Sequence, residues 1–81
     1  EVEGKMAEEG TLTHYLEKKE YRTFVHSMPH PLAKEAILNY KTVERREATT
    51  LIEVELITGR YHQIRGQMAK VGHPIVGDKK Y

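Results

Sequence analysis

The sequence predicts an α+β fold, in which a mostly antiparallel sheet of about four strands carries one packed helix. Four segments alternate apolar and polar residues with the two-residue period of a β-strand. One later segment instead repeats its apolar residues at helical spacing, and glycine and proline follow it. The chain of 81 residues has room for one domain, so residues 1–81 are expected to form a single unit.

The four predicted strands are separated by charged or proline-containing turns and lie at 12–16, 21–26, 33–44 and 49–57. The third is ambiguous from propensity alone, because residues 33–36 would also begin a helix, but its alternation favours a strand. The fourth places Ile52, Val54 and Leu56 on one face and glutamates on the other. This pattern predicts a sheet that is covered on one side and open to water on the other.

A helix is predicted over residues 60–71. Its apolar stripe, which should face the sheet, consists of Tyr61, Ile64, Met68 and Val71. This stripe would leave Gln63 and Gln67 on a flank of the helix. Thr58 is well placed as the N-cap residue, since its hydroxyl can accept a hydrogen bond from an N–H of the first turn. Gly72 suits the left-handed position that ends many helices.

The composition excludes several classes of site. Cysteine is absent, which rules out disulfides, thiolate zinc sites, iron–sulfur clusters and cysteine nucleophiles. No apolar run approaches the roughly 18–20 residues that cross a bilayer, and no signal peptide opens the chain, so we expect a soluble, cytoplasmic protein without membrane association. Hydrophobic residues make up only 38% of the chain and charged residues 31%, so its stability should depend on good packing or on a partner.

The net charge of +1 conceals an uneven distribution along the chain. Residues 1–20 carry six acids and three lysines, whereas residues 60–81 carry five cations and one acid. This basic end suggests a polyanionic partner, although such clusters are also common on solvated faces. Arg60 and Arg65 lie in the first two turns of the predicted helix, where a positive charge is unfavourable by up to about 1 kcal/mol. A bound phosphate or carboxylate would compensate, and a solvated surface is the alternative interpretation.

The histidines do not predict a metal site. His26 and His30 have the i, i+4 spacing of helical ligand pairs, but Pro29 lies between them and excludes the helix that would align them. Neither a P-loop nor a dinucleotide fingerprint is present. Ser27, the only serine, lacks the context of a nucleophile elbow. The residues therefore indicate no metal site and no nucleotide-cofactor site.

Two motifs near the end of the chain carry a specific resemblance. Residues 58–65 read T-G-R-Y-H-Q-I-R, and residues 72–78 read G-H-P-I-V-G-D, with Tyr81 beyond them. Together they resemble the third conserved motif, and the segment after it, of the RluA-type pseudouridine synthases. Residues 36–40 resemble the A-x-T-x-Y strand of that family, with leucine in place of threonine, and residues 2–4 resemble the end of an earlier strand.

The resemblance implies an isomerase that converts uridine to pseudouridine in structured RNA, either rRNA or tRNA, without a cofactor. In that family a catalytic aspartate drives cleavage of the glycosidic bond, and the target nucleotide is flipped out of its stack. By motif position, Arg65 resembles the arginine that pairs with this aspartate. Arg60, His62 and Gln63 correspond to substrate-binding positions, with Arg60 near RNA phosphate or the pocket rim and the other two supporting the pocket.

The family's catalytic aspartate belongs to an H-R-L-D type motif that lies upstream of the matched segments and does not occur in this chain. Asp78, the only aspartate, follows the predicted helix and is expected to be a turn or capping residue. We therefore expect residues 1–81 to form the C-terminal part of a pseudouridine synthase catalytic domain and to be inactive alone. The run Arg65-Gly66-Gln67 departs from the usual R-V-H and places a glycine inside the helix, at about 1 kcal/mol relative to alanine.

Two other functions are compatible with the residues. The first is a non-catalytic RNA-binding module that uses the basic helix at 60–71, and it predicts strongly salt-dependent affinity of the chain for RNA. The second is a structural fragment that self-associates through exposed sheet edges. The affinity for RNA and the oligomeric state in solution distinguish these alternatives.

Overall fold

The chain forms one antiparallel sheet and one helix in the computed structural model, which describes residues 1–81. The elements in chain order are β1 (Val2–Glu3), β2 (Glu9–Lys19), β3 (Arg22–His26), β4 (Lys34–Arg45), β5 (Thr49–Leu56) and α1 (Gln63–Lys70). The predicted α+β class is confirmed, with five strands where the sequence indicated about four. The additional strand, β1, has two residues and is too short to show alternation. The eight residues of α1 do not span a membrane.

The strands are ordered β1-β5-β4-β2-β3 across the sheet, and every neighbouring pair is antiparallel. Strand β2 extends beyond the predicted 12–16 at both ends. Its first half pairs with β4, from Glu9 opposite Lys41 onward, and its second half pairs with β3 as far as Lys19 opposite Arg22. Backbone pairing with β3 therefore continues the strand through charged residues that the sequence pattern assigned to a turn.

The core lies between the sheet and the helix. Its fully buried apolar residues are Val2, Met6, Leu38 and Met68. Ile52 and Val54 of β5 pack against this cluster, which confirms the predicted covered face of that strand. Leu56, the last residue of β5, is about half exposed, so the covered face does not extend to the end of the strand as predicted.

The helix is shorter than predicted, and its N-cap is His62 rather than Thr58. The Thr58 hydroxyl accepts a hydrogen bond from the Ile37 N–H at 2.9 Å and lies 2.9 Å from Oε1 of Gln63. Thr58 thus joins the turn to strand β4, and the helix begins only after His62. The predicted termination at Gly72 is confirmed, because its φ of +85° is left-handed and its N–H donates to the Ala69 carbonyl at 3.0 Å.

The helix turns a different face to the sheet from the predicted apolar stripe. Its buried residues are Gln63, Gly66, Gln67 and Met68. Of the predicted stripe only Met68 is fully buried, and the two glutamines instead face the sheet, where their amides contact strand carbonyls. Gln63 Nε2 donates to the Ile37 carbonyl at 3.1 Å, and Gln67 Nε2 lies 3.3 Å from the Ala36 carbonyl. Gly66 approaches β3 so closely that an added Cβ would lie 3.0 Å from Cγ2 of Val25.

Candidate active site

Arg65 of helix α1 forms a two-point ion pair with Asp78, which lies in the segment after the helix. The Nε atom of Arg65 is 2.9 Å from Oδ2 of Asp78, and Nη2 is 3.0 Å from Oδ1. The Asp78 side chain is 4% exposed and that of Arg65 is 37% exposed. The carboxylate therefore lies beneath the guanidinium, which presents its remaining edge to solvent.

The Arg65 guanidinium holds the pKa of the Asp78 carboxyl well below its usual range, chiefly through these hydrogen bonds. Asp78 also has the turn role that the sequence predicted, because Oδ1 accepts the N–H of Lys80 at 3.0 Å. The motif predicted that Arg65 pairs with an aspartate outside this chain. That pairing stays a prediction, and the partner present among residues 1–81 is Asp78.

Three of the five N–H groups of Arg65 are occupied within the chain. Two of them donate to Asp78, and a third, on Nη1, approaches Nε2 of His62 at 3.3 Å. Two N–H groups, one on Nη1 and one on Nη2, have no partner among these contacts. A guanidinium with its Nε side anchored and its outer edge available can bind a second carboxylate or a phosphate.

His62 joins Arg65 to Tyr81 through its two ring nitrogens. Its Nδ1 lies 2.6 Å from the Tyr81 hydroxyl, which also accepts the Thr23 N–H at 3.0 Å. Because a guanidinium only donates hydrogen bonds, Nε2 of His62 must be the acceptor, and Nδ1 then carries the proton and donates to Tyr81. This assignment describes a neutral imidazole with a fixed tautomer.

The electrostatics of His62 agree with a neutral ring. Burial of the imidazole lowers the pKa of His62, and the positive charge of Arg65 lowers it further. The ring stacks on Tyr61, with centroids 3.8 Å apart, and meets the edge of Tyr81. His62 also has a left-handed backbone, with φ of 54°, which is uncommon for a residue with a side chain. These contacts hold the ring beside Arg65.

Gln63 and Arg60 lie together on the other side of the turn. Oε1 of Gln63 accepts the Arg60 N–H at 2.9 Å, and Gln63 is 3% exposed. Gln63 therefore supports the turn from within and does not face solvent in this structure. Arg60 is exposed, and its Nε donates to the Glu35 carbonyl at 2.9 Å. The structure thus brings His62 and Arg65 into direct contact and places Gln63 behind them.

A groove of about 360 Å³ runs beside this turn. Three cationic side chains line it: Lys18, Lys34 and Arg60. We call it the basic groove. Nζ of Lys18 lies 4.5 Å from the centre of the Tyr61 ring, which is the geometry of a cation–π contact. The basic groove combines positive charge with a partly exposed aromatic residue, Tyr61, a combination that suits a nucleic-acid strand.

The sequence did not predict that Lys18 and Lys34 line the basic groove or that Asp78 pairs with Arg65. The lysines lie 16 positions apart and become neighbours only through the pairing of β2 with β4, in which Leu16 is opposite Lys34. The signal was present in the sequence as charge on two predicted strands, but it required the strand register. Tyr81 was noted only as part of the family motif.

Acid is expected to destabilise the fold as buried histidines become protonated. Burial lowers the pKa of His14, with a further contribution from Lys70, and that of His62 is also lowered. The unfolded chain, with histidine pKa values of about 6.5, then binds more protons than the folded chain. The free energy of unfolding should be highest above about pH 6.5 and should fall as the pH decreases through the lowered folded-state values.

Urea unfolding at several pH values measures this dependence. His14→Asn keeps an acceptor for the Gln67 amide, which lies 2.8 Å from Nδ1 of His14, and should reduce the slope below about pH 6.5. An unfolding midpoint in the unmodified chain that does not change between about pH 7.5 and about pH 5.5 would contradict the expectation.

Comparison with known proteins identifies the family. A family model described as RNA pseudouridylate synthase matches residues 1–70. Ribosomal large subunit pseudouridine synthase D of Pasteurella multocida is 43% identical over 56 residues, which cover 69% of this chain and 17% of that protein. The protein of the same name from Escherichia coli strain K12 has the same identity and coverage, and that of Haemophilus ducreyi is 46% identical over 52 residues, 64% of this chain and 16% of that protein. The match thus spans about one sixth of the length of these relatives. The chain belongs to the RNA pseudouridylate synthase family.

Proposed function

We propose that this chain is part of an enzyme that isomerises uridine to pseudouridine in RNA, and that it contributes Arg65 to the active site. The proposal rests on the hydrogen bonding of the Arg65 guanidinium. Asp78 anchors its Nε side, and two N–H groups on its outer edge are available at a partly exposed position. A catalytic carboxylate from another part of the enzyme would bind this outer edge.

The proposed role of Arg65 is to keep that catalytic carboxylate ionised and oriented. Charge-assisted hydrogen bonds from a guanidinium stabilise the ionised form of a carboxyl group and lower its pKa. The carboxylate can then promote cleavage of the C1′–N1 bond of uridine, after which the uracil turns and rejoins the sugar through C5. Asp78 is a positioning residue in this proposal, because it holds the Nε side of the guanidinium, and His62 contacts Nη1 and stays a predicted substrate-binding residue.

The proposed substrate is ribosomal RNA of the large subunit. Three relatives carry the name ribosomal large subunit pseudouridine synthase D, and the basic groove supplies three cations for RNA phosphates. Contacts between cations and phosphates give most of the affinity for RNA and fix its position. They would also offset the cost of a few kcal/mol of flipping the target nucleotide out of its stack. Transfer RNA is the alternative substrate.

A chimeric enzyme tests the proposal. The segment of the Escherichia coli relative that matches this chain, 56 residues at 43% identity, is exchanged together with its flanks, so that the chimera carries residues 1–81 of this chain. The chimera is produced in cells that lack the original enzyme, and pseudouridine is mapped in their ribosomal and transfer RNA. We expect pseudouridine to be restored in large-subunit ribosomal RNA. A folded chimera without any product would contradict the proposed function, and product confined to transfer RNA would contradict the proposed substrate.

The isolated chain is expected to be inactive. Arg65 orients a carboxylate but cannot replace it, and Asp78, the only aspartate, is held in the ion pair beneath the guanidinium. Tritium release from uridine labelled at C5, in bulk RNA, measures turnover directly. Turnover by these 81 residues alone would show that no further carboxylate is needed.

A non-catalytic RNA-binding module is the alternative function, and the basic groove is the observation that favours it. In that case the isolated chain should bind RNA with an affinity that falls steeply with salt. Arg60→Gln should then lower the slope of log affinity against log salt by about one. Binding without this change would show that Arg60 makes no phosphate contact, and RNA binding by an inactive chimera would favour the module over the enzyme.

A further inference from the structure

Three side chains that can ligate a metal ion come together outside the candidate active site. Nε2 of His26 lies 3.0 Å from Oε1 of Glu17, and Nδ1 of His30 lies 4.0 Å from the same oxygen. One donor atom from each residue lies within 4.8 Å of the other two. The Glu17, His26 and His30 side chains are 20%, 32% and 37% exposed, so the cluster is partly shielded and still open to an ion from solvent.

The fold creates this cluster through the strand register. In the β2–β3 hairpin Tyr15 is opposite His26 and Glu17 is opposite Phe24, so Glu17 and His26 are diagonal neighbours on one face of the sheet. The loop after β3 then turns back and places the His30 ring parallel to the His26 ring, with centroids 4.4 Å apart. Pro29 excludes a helix that would align His26 and His30, and for that reason the sequence did not predict a metal site. A proline-containing loop brings the same histidines together.

We propose that Glu17, His26 and His30 bind a divalent transition-metal ion, with Zn²⁺ as the best fit. Imidazole nitrogens suit Zn²⁺, Ni²⁺ and Cu²⁺ better than Ca²⁺ or Mg²⁺, and two histidines with one carboxylate form a common zinc-ligand set. Two neutral imidazoles and one carboxylate carry a single negative charge, which complements a divalent cation. The three ligands leave a fourth position for water or for an external ligand.

Binding requires a short approach of the donor atoms and a rotation of one imidazole, because the in-plane lone pairs of two parallel rings do not meet at one point. Zinc bonds of about 2.0 Å in tetrahedral geometry place donor atoms roughly 3.3 Å apart, so the donors must approach by about 1.5 Å at most. All three side chains are partly exposed and can move this far by rotation. Ligation through Nε2 of His26 replaces its hydrogen bond to Glu17, and the ring proton then lies on Nδ1, so the imidazole stays neutral.

Two features of the site disfavour metal binding and limit its affinity. Nδ1 of His30 accepts the Leu32 N–H at 3.1 Å, so ligation through this atom exchanges that hydrogen bond for the metal bond. The bond lies at the surface, where water can replace the acceptor. Lys70 lines the same groove as the two histidines, and its positive charge disfavours a cation. We therefore expect binding to need all three ligands.

Titration of the 81-residue chain with zinc chloride tests the site. Calorimetry should give one saturable site per chain, and the ring-proton NMR signals of His26 and His30 should shift together. His26→Gln and Glu17→Gln should each weaken binding by at least about tenfold, since even outer-shell changes cost 10–100-fold. His73→Gln, which alters a histidine outside the cluster, is the matched control and should bind zinc as the unmodified chain does.

Circular dichroism without metal must show that each variant is folded as the unmodified chain is. If His26→Gln unfolds the chain, the NMR shifts of the unmodified chain decide the result. The absence of saturable zinc binding, or shifts confined to His14, His62 or His73, would overturn the proposal. An equal loss of affinity in His73→Gln and His26→Gln would do the same.

Discussion

Arg65→Met in the chimeric enzyme is expected to lower the rate of pseudouridine formation by about 10²–10³-fold, the cost of removing one preorganised donor group from an active site. Methionine keeps the apolar stem of the side chain but removes every hydrogen-bond donor. The proposed catalytic carboxylate would then lose its charged partner, and Asp78 would retain an uncompensated charge with its side chain 4% exposed. Single-turnover assays on ribosomal RNA measure the chemical step apart from RNA binding.

Two further variants separate the charge of Arg65 from its geometry. Arg65→Lys keeps the positive charge but lacks the planar fork that pairs with Asp78 at two points, so its rate should lie between those of the unmodified chimera and Arg65→Met. Arg46→Met is the matched control, because Arg46 forms surface ion pairs with Glu1 and Glu44 outside the site. A folded Arg65→Met chimera that retains the unmodified rate would refute the proposed role of Arg65.

Gly66→Val is expected to destabilise the chain by about 1–3 kcal/mol. A Cβ on residue 66 would lie 3.0 Å from Cγ2 of Val25, which is tighter than most such contacts, so the Val25 side chain would have to shift. Valine is a better helix former than glycine by only a few tenths of a kcal/mol, which does not offset the clash. Urea unfolding at neutral pH measures the difference.

Variants of Val25 and Gly59 provide the controls for this prediction. Val25→Ala in the Gly66→Val background should recover part of the lost stability, because it removes the methyl groups that clash. Gly59→Val should have little effect on stability, since an added Cβ there meets no atom within 4 Å. A Gly66→Val chain as stable as the unmodified chain would mean that β3 moves freely away from the helix.

Elements with a regular local pattern could be predicted from the sequence. Strand β5 alternates over residues 52–56, and its predicted span of 49–57 agrees with Thr49–Leu56 to one residue. The end of the helix at Gly72 was also predictable, because a left-handed residue there depends only on local backbone geometry. Strand β1 was not predictable, since this two-residue strand depends on long-range pairing with β5 and with Ile75.

The orientation of the helix could not be predicted because it depends on hydrogen bonding as well as on apolar burial. Gln63 and Gln67 appeared to be flank residues, yet their amides reach strand backbone atoms and both are buried. The candidate site shows the same limit. Motif position predicted Arg65 as a site residue, but the partner within the chain lies 13 positions away and was found only in the structure.

A crystal structure of the chimeric enzyme tests the proposed role of Arg65 most directly. We predict that its catalytic aspartate places a carboxylate oxygen about 2.7–2.9 Å from Nη1 or Nη2 of Arg65. Asp78 should remain paired with the Nε side of the same guanidinium. A catalytic aspartate that does not contact Arg65, or an Arg65 side chain that no longer pairs with Asp78, would contradict the proposed role of Arg65.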